Sequence, residues 1–416
     1  MKVNPGRLLL WGATLVIFIV APLVFPQSFA LTLLTQIGSF IIFALSYNML
    51  LGQGGMLSFG HAVYSGLGAY IAVHALNLIG KGAFPYPVTL LPLIGGLAGL
   101  VFGLLFGYVT TKRSGTTFAL ISLGINEMVF ACVLTFPGFF GGEAGISTNR
   151  TAGQPFLGIT YGPAIQVYYL VAFWCFLSMI AMYALTQTPL GRMVNAVRDN
   201  PERAEFVGYD TQKVRFLQLA LSGFFAGVSG SLACINFEIV SAENVSALRS
   251  GGVLLAAVIG GAPFFFGPIL GAVVFILFVS ALSNLTSAWQ LYLGLFFLVM
   301  VLYAPGGIAS LIMMQVPAIR AGRFREMLAP YLLAAFAAAV TLCGLAGLVE
   351  LLYHVSDTTL GSSFSFAWIR LDSDTLAHWI AFALLFVAGF AALRYATRFV
   401  GARWATVQAD LRAKNA

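Results

Sequence analysis

The sequence of 416 residues has very few charged side chains: Asp, Glu, Lys and Arg make up 8% of it, whereas 60% of the residues are hydrophobic. A soluble domain carries about 25% charged residues, so this chain has too few to cover a surface that faces water. The connections between apolar runs are short, the longest being 137–163, 187–213, 305–329 and 351–375. Each is below the roughly 50 residues that a domain needs for its own core. The composition therefore excludes a soluble protein or a fused soluble catalytic domain, and predicts an integral membrane protein.

Cysteine and histidine are also scarce, with four residues of each. Cys132, Cys175, Cys234 and Cys343 lie in apolar runs and lack the Cys-x-x-Cys spacing of zinc or redox sites. His61 has no second His, Asp or Glu at ligand spacing. A Gly-x-x-x-x-Gly-Lys-Ser/Thr loop for ATP is missing as well. We therefore expect no metal ion and no cofactor in this chain.

The apolar residues form twelve runs, which approach the about 20 residues that a helix needs to span a bilayer. These runs lie near 8–25, 30–51, 57–79, 88–110, 116–136, 164–186, 214–236, 247–262, 267–285, 289–304, 330–350 and 376–396. The sequence therefore predicts an all-α polytopic membrane protein with about 12 transmembrane helices.

The basic residues are distributed asymmetrically over this topology. If the N-terminus is cytoplasmic, only Lys81, Arg150, Arg249 and Arg370 lie outside, which leaves 17 of the 21 Lys and Arg on the cytoplasmic side. Cytoplasmic loops carry such an excess in membrane proteins. The net charge of +7 is thus a topology signal. It predicts a multi-pass chain in a lipid bilayer with both termini cytoplasmic, and it gives no reason to expect a nucleic-acid partner.

Glycine recurs at every fourth position of the fourth run, at Gly95, Gly99, Gly103 and Gly107. This spacing places the four glycines on one face of a helix. Small residues on one face allow two helix backbones to approach closely in lipid. We predict that these glycines serve helix packing and do not contact a transported solute.

Two groups of helix-breaking residues interrupt the apolar runs, at 52–55 and at 260–263. Breaks free backbone N–H and C=O groups that lipid cannot satisfy, so they belong in a turn outside the bilayer or in a cavity lined by protein. Transporters often build solute sites from broken helices. The candidates for a translocation path are the polar residues near the first break, Gln53, Ser58, His61 and Ser65. A tight turn without a ligand is the alternative.

Glu127 in the fifth run is the clearest ionisable residue at membrane depth. Burial of a carboxylate there costs several kcal/mol unless it is paired, protonated or hydrated. Glu127 is therefore a candidate for the translocation path, with a structural hydrogen bond inside the bundle as the alternative. If Glu127 couples solute movement to an ion gradient, the protein is a secondary transporter that works without ATP.

The loop between the sixth and seventh runs holds most of the charge in the middle of the chain. An apolar stripe between Met193 and Val197 predicts a short amphipathic helix. Asn200 followed by Pro201 is typical of the start of a second helix, and Gly208 suits the left-handed residue after its end. Acidic and basic residues nearly balance here, whereas a helix on a lipid surface is more basic. We predict a two-helix knob that docks on a cytoplasmic partner.

Four parts of the sequence carry a family resemblance. They are YNMLLGQGGMLSFGHA at 47–62, FALISL at 118–123 with Glu127, the loop at 191–209 with SGFFAGVSG at 222–230, and LYAPGGI at 302–308. In this order they resemble the permeases of branched-chain amino acid ABC transporters (the LivM/LivH type), over roughly residues 30 to 312.

The resemblance implies a ten-helix ABC importer permease core at 1–312, which includes a cytoplasmic coupling loop at 187–213. Two further transmembrane helices would lie in a C-terminal extension at 313–416. Such a chain is a transport subunit of the bacterial cytoplasmic (inner) membrane and not an enzyme. Its implied partners are a second homologous permease subunit, two cytoplasmic ATPase subunits that bind ATP and Mg, and an extracytoplasmic solute-binding protein. The implied ATPase-coupling surface consists of Gly191, Arg192, Ala196, Arg198, Asp199, Asn200 and Gly208.

The resemblance implies branched-chain or related amino acids as the solute. Two features keep an alternative open. Pro201-Glu202-Arg203 stands where family members often have a second acidic residue, and the stretch from Phe206 to Tyr209 is also similar to urea permeases. Urea or short amides are therefore the alternative solutes.

Overall fold

The computed structural model describes residues 5–153, 158–356, 363–366 and 369–415. The helices, numbered in chain order, are α1 (Pro5–Val24), α2 (Ser28–Asn48), α3 (His61–Gly80), α4 (Leu91–Thr110), α5 (Thr116–Thr135), α6 (Pro137–Phe140), α7 (Ala164–Gln187), α8 (Pro189–Asp199), α9 (Pro201–Phe206), α10 (Thr211–Phe237), α11 (Ala247–Gly260), α12 (Gly267–Ile276), α13 (Trp289–Tyr303), α14 (Gly307–Arg320), α15 (Phe324–Ser356) and α16 (Leu376–Asn415). Short strands are β1 (Ile146–Ser147), β2 (Ile239–Val240), β3 (Ser363–Phe366) and β4 (Ile369–Asp372). The prediction of an all-α polytopic membrane protein is confirmed.

All twelve predicted runs are helical over most of their length. Within the residues that the structure describes, nine helices are long and apolar enough to cross a membrane. A tenth results if α13 and α14, which meet at 44°, count as one span. The runs at Leu9–Val24 and Ala247–Gly260 form shorter apolar helices. The count of twelve full spans is therefore not confirmed.

The first of two compact units comprises residues 1–285 and 293–310. At its centre α10 packs against α4, and their glycines lie face to face. A Cβ on Gly227 would lie 2.0 Å from the carbonyl oxygen of Gly95, and one on Gly99 would lie 2.1 Å from that of Gly223. These backbones are in direct contact, so the predicted role of the α4 glycines in helix packing is confirmed.

Side-chain hydrogen bonds tie α10 to α2 inside the same unit. Ser229 donates to the carbonyl oxygen of Ser39, and Ser222 donates to that of Ser46. A membrane interior offers no water to satisfy polar groups, so these hydroxyls bond to backbone carbonyls of a neighbouring helix. The strands β1 and β2 pair antiparallel, with Ile146 opposite Val240, just before the chain enters α11.

The second unit comprises residues 286–292 and 311–416. Its main feature is the pairing of α15 with α16, in which a Cβ on Gly344 would lie 2.7 Å from the Cα of Phe386. The carboxylate of Glu350, which is 9% exposed, accepts hydrogen bonds from Thr286 (2.6 Å) and Tyr292 (3.1 Å). The strands β3 and β4 form an antiparallel pair with Ser363 opposite Asp372. The proposed division of the chain at residue 312 stays a prediction.

Candidate functional site

The predicted two-helix knob is present as α8 and α9. Thr188 caps α8 by accepting a hydrogen bond from the backbone N–H of Gly191 (3.3 Å). Asn200 caps α9 by accepting one from the N–H of Arg203 (2.9 Å), with Pro201 in the first turn. The prediction that Asn200 begins the second helix is confirmed.

The knob has a small apolar core of its own, made by Val194, Val197, Ala204 and Val214. Gly208 ends the second helix with φ +92°, as its sequence position predicted. Asp210 then caps α10 by accepting the N–H of Lys213, which lowers the pKa of the Asp210 carboxyl. The knob is therefore folded by local signals and packs onto the start of α10.

Most residues of the implied ATPase-coupling surface lie exposed on this knob: Arg192, Ala196, Arg198, Asp199, Asn200 and Gly208. Gly191 is buried, because a Cβ there would lie 2.3 Å from the carbonyl oxygen of Leu185. The structure adds three exposed apolar residues at the tip that sequence reasoning missed. They are Phe206 (90% exposed), Val207 (70%) and Tyr209 (46%). Their position outside any apolar run was the available signal.

Arg198 connects the knob to the first predicted break. Its Nη1 donates to the carbonyl oxygen of Gly52 at 2.5 Å, while Nε and Nη2 bind the carboxylate of Asp199 at 2.9 and 2.8 Å. Gly52 lies in a π-helical turn, Met49–Gln53, that continues α2. Gly55 follows with φ +64°, and a Cβ there would lie 2.8 Å from the Cγ of Arg198. The guanidinium group thus holds an irregular turn by its backbone.

The two predicted breaks meet in space. A Cβ on Gly52 would lie 2.2 Å from the carbonyl oxygen of Ala262, so only glycine fits there. Gly261, with φ +111°, in turn lies against the backbone of Gly306. Three turns predicted to face the cytoplasm therefore converge beneath Arg198, and half-buried Gln53 lies among them.

A polar cluster lies deeper in the first unit and consists of Ser46, His61, Ser65, Asn126 and Ser250. All five side chains are at most 1% exposed. His61 Nε2 lies 2.9 Å from the Ser46 oxygen. Ser250 accepts the N–H of Ala62 (2.9 Å) and donates to Asn126 Oδ1 (3.2 Å). Ser65 follows His61 by one turn of α3.

Three atoms of this polar cluster are buried without a hydrogen-bond partner among the described residues: His61 Nδ1, Ser65 Oγ and Asn126 Nδ2. The Ser46 hydroxyl donates to the carbonyl oxygen of Phe43 (2.8 Å), so His61 Nε2 carries the proton that it gives to Ser46. Nδ1 is then a free acceptor and the Asn126 amide a free donor. Each unsatisfied buried group costs about 1–3 kcal/mol, so the arrangement suits a polar solute better than a closed core.

Helix lengths place the polar cluster at about mid-depth of a membrane. Ser250 precedes Gly260, the last residue of α11, by ten residues, and Asn126 follows Thr116, the first residue of α5, by ten. At 1.5 Å per residue, both lie about 15 Å from those helix ends, half of a hydrocarbon core of about 30 Å. Because α3 begins only at His61, its N-terminus also lies at this depth.

The structure separates the predicted path residues. His61 and Ser65 belong to the polar cluster, Ser58 is buried in the extended segment before α3, and Gln53 lies at the break. Glu127 is exposed on α5, while its neighbour Asn126 points inward. Sequence reasoning missed Ser46 and Ser250, and treated Asn126 only as a neighbour of Glu127. Single serines in apolar runs carry no recognisable signal. Whether any of these residues lines a path stays a prediction.

Gly208→Val is expected to abolish solute uptake while the chain remains in the membrane. No atom would crowd the new side chain, but a residue with a Cβ at φ +92° costs about 1–2 kcal/mol, more when branched, and this changes the exit from α9. Uptake assays with quantification of the chain in membranes measure this. Gly208→Asn is the matched control, since Asn tolerates this conformation. Equal uptake by the Val and Asn variants would contradict the prediction.

A helical bundle with a polar cluster at mid-depth and an external two-helix knob defines a multi-pass membrane transport protein. The family model described as "Branched-chain amino acid transport system / permease component" matches residues 29–305. The chain belongs to this family and is a permease of the ABC importer type.

Individual relatives agree with this assignment. The chain is 28% identical over 290 residues to the high-affinity branched-chain amino acid transport system permease protein LivM of Escherichia coli (strain K12), covering 65% of this chain and 67% of that protein. It is 25% identical over 217 residues to the probable branched-chain amino acid transport permease protein LivH of Methanocaldococcus jannaschii (51% and 67%). It is also 26% identical over 227 residues to the fructose import permease protein FrcC of Rhizobium meliloti (49% and 59%). No solved structure matches the chain.

Proposed function

We propose that this chain is the permease subunit through which an ABC importer moves branched-chain or related amino acids across the bacterial cytoplasmic membrane. Both termini and the knob face the cytoplasm in this proposal. A second permease subunit completes the pathway, and an extracytoplasmic binding protein delivers the solute. ATP and Mg bind to two separate ATPase subunits. The names of the LivM and LivH relatives support the solute.

One observation carries the proposal: the knob links an exposed docking face to the turns at the end of the bundle. Phe206 and Val207 present apolar surface at the tip, and Arg198 bonds from the same knob to Gly52. Movement of a partner bound at the tip would therefore displace the π-helical turn at the end of α2. That helix carries Ser46 of the polar cluster about 10 Å further along.

Phe206→Ala is expected to weaken ATPase binding by a factor of about 30, because truncation of a buried aromatic anchor removes about 2 kcal/mol or more from an interface. The measurement is affinity purification of the full-length tagged chain from native membranes with quantitative mass spectrometry of a P-loop ATPase. Glu202→Ala, an exposed position on the same helix, is the matched control.

The same purification tests the transport class. Recovery of a P-loop ATPase and a second permease-like chain supports the ABC importer proposal. A chain that emerges alone and still moves solute in ATP-free liposomes would overturn it. Glu127→Gln should then shift the pH dependence of transport, as an ion-coupled mechanism requires.

A further inference from the structure

Arg249 is a cation enclosed in the bundle without a matching anion. Its Nη1 donates to Asn244 Oδ1 at 3.0 Å, and its guanidinium carbon lies 5.7 Å from the ring centre of Phe43. Its Nε is buried without a hydrogen-bond partner, and no carboxylate forms an ion pair with it within the described parts of the chain. An enclosed charge is costly unless paired. Arg249 therefore lacks an anion that something else must supply.

The same residue lies in the first turn of α11, where backbone N–H groups add to the positive potential. Ser246 caps the helix by accepting the N–H of Arg249, while the N–H groups of Ala247 and Leu248 have no partner within a helix. The aligned peptide dipoles place about half a positive charge at this end. With 14 residues, α11 is about 21 Å long and shorter than the hydrocarbon core. Its N-terminus thus lies below the membrane surface.

The fully buried Asn126 is independent evidence for a ligand at this helix end. Ser250, also in the first turn of α11, uses its lone pair for the N–H of Ala62 and gives its proton to Asn126 Oδ1. The amide group is thereby oriented, and its Nδ2 remains a donor without a partner. A cation, a helix N-terminus and an unpaired amide all favour the same kind of ligand, a small anion with two acceptor oxygens.

We propose that the start of α11, with Arg249 and Asn126, binds the α-carboxylate of an amino-acid solute during translocation. Arg249 supplies the charge and bidentate donors, and Asn126 donates from its oriented amide. Exposed Glu127 follows Asn126 on α5 and complements the ammonium group of the same solute. Sugars, nucleosides and urea have no carboxylate for Arg249. The inference rests on the proposed function and narrows it to amino acids.

The decisive measurement is initial uptake of radiolabelled leucine, fructose, guanosine and urea by cells that carry wild-type chain or one variant. Wild type is expected to take up leucine. Arg249→Gln should lower leucine uptake by about 30-fold or more, because it removes one partner of an enclosed charge pair. Arg249→Lys, which keeps the charge, should retain part of the uptake. Lys81→Gln, an exposed residue on the same predicted side, is the matched control.

ATP hydrolysis by the extracted complex and the amount of chain in the membrane separate binding from folding. Both should stay at wild-type values in Arg249→Gln. If both fall in parallel with uptake and Arg249→Lys does not restore them, Arg249 is a packing residue and the inference is wrong. If wild type takes up leucine and Arg249→Gln does so equally well, this inference fails while the proposed function stands. If wild type takes up only a solute without a carboxylate, the proposed amino-acid solute fails too.

Discussion

Arg198→Glu is expected to abolish solute uptake while the chain remains in the membrane at a normal amount. The substitution removes the hydrogen bond to the carbonyl oxygen of Gly52 and places a carboxylate near that oxygen, where the two negative atoms repel each other. It also removes the Cγ packing against Gly55. Loss of a charge-assisted hydrogen bond and the new repulsion together release the π-helical turn from the knob. Uptake of labelled leucine and immunoblots of membranes measure the two effects.

Lys213→Glu is the matched control for this change, since it makes the same charge reversal close to the knob. Lys213 is 80% exposed and pairs with Asp210 at 3.2 Å, and an exposed pair of this kind contributes little. Uptake should therefore change little. Co-purification of the ATPase adds a second result: retention of the ATPase with lost uptake indicates that the bond to Gly52 transmits movement, whereas loss of the ATPase indicates a docking contact. Normal uptake by Arg198→Glu would contradict both roles.

Gly227→Ala is expected to destabilise the first unit by about 3 kcal/mol, although the added group is one methyl. The Cβ would lie 2.0 Å from the carbonyl oxygen of Gly95 and 3.1 Å from the Cα of Gly99. Both are backbone atoms, so the only response is separation of α4 from α10. The thermal aggregation midpoint of the detergent-extracted chain should fall markedly, with less chain recovered from membranes.

Gly294→Ala in α13 is the control that isolates this effect. A Cβ there meets nothing within 4 Å. Alanine favours a helix over glycine by about 1 kcal/mol, so this variant should be as stable as wild type or more so. Equal midpoints for the two variants would show that the contact between α4 and α10 does not limit stability.

Local signals were sufficient to predict the knob and the helical class. Asn200 and Gly208 act within a few residues of themselves, through a cap and a left-handed backbone conformation, so their roles follow from neighbouring sequence. Apolar runs similarly report helices directly. They did not report span number, because the short α11 and the bent pair α13–α14 depend on packing that a run of apolar residues does not encode.

Long-range contacts could not be predicted in the same way. The hydrogen bonds of the polar cluster join Ser46 to His61, and Ser250 to both Ala62 and Asn126, over separations of up to 188 residues. Glu127 was predicted at membrane depth, but a uniformly apolar run has no polar face from which to read which side chain points inward.

The sequence by itself therefore determined the membrane class, the helix order, the family and the capped knob, because composition, periodicity and local backbone preferences act over short distances. Only the tertiary structure decided that the breaks at Gly52 and Ala262 touch, that Arg198 holds the first of them, and that Arg249 lies at a buried helix start without an anion. The reason is physical: in a bundle where nearly every face is apolar, contacts between distant glycines and single polar side chains fix how the helices are rotated.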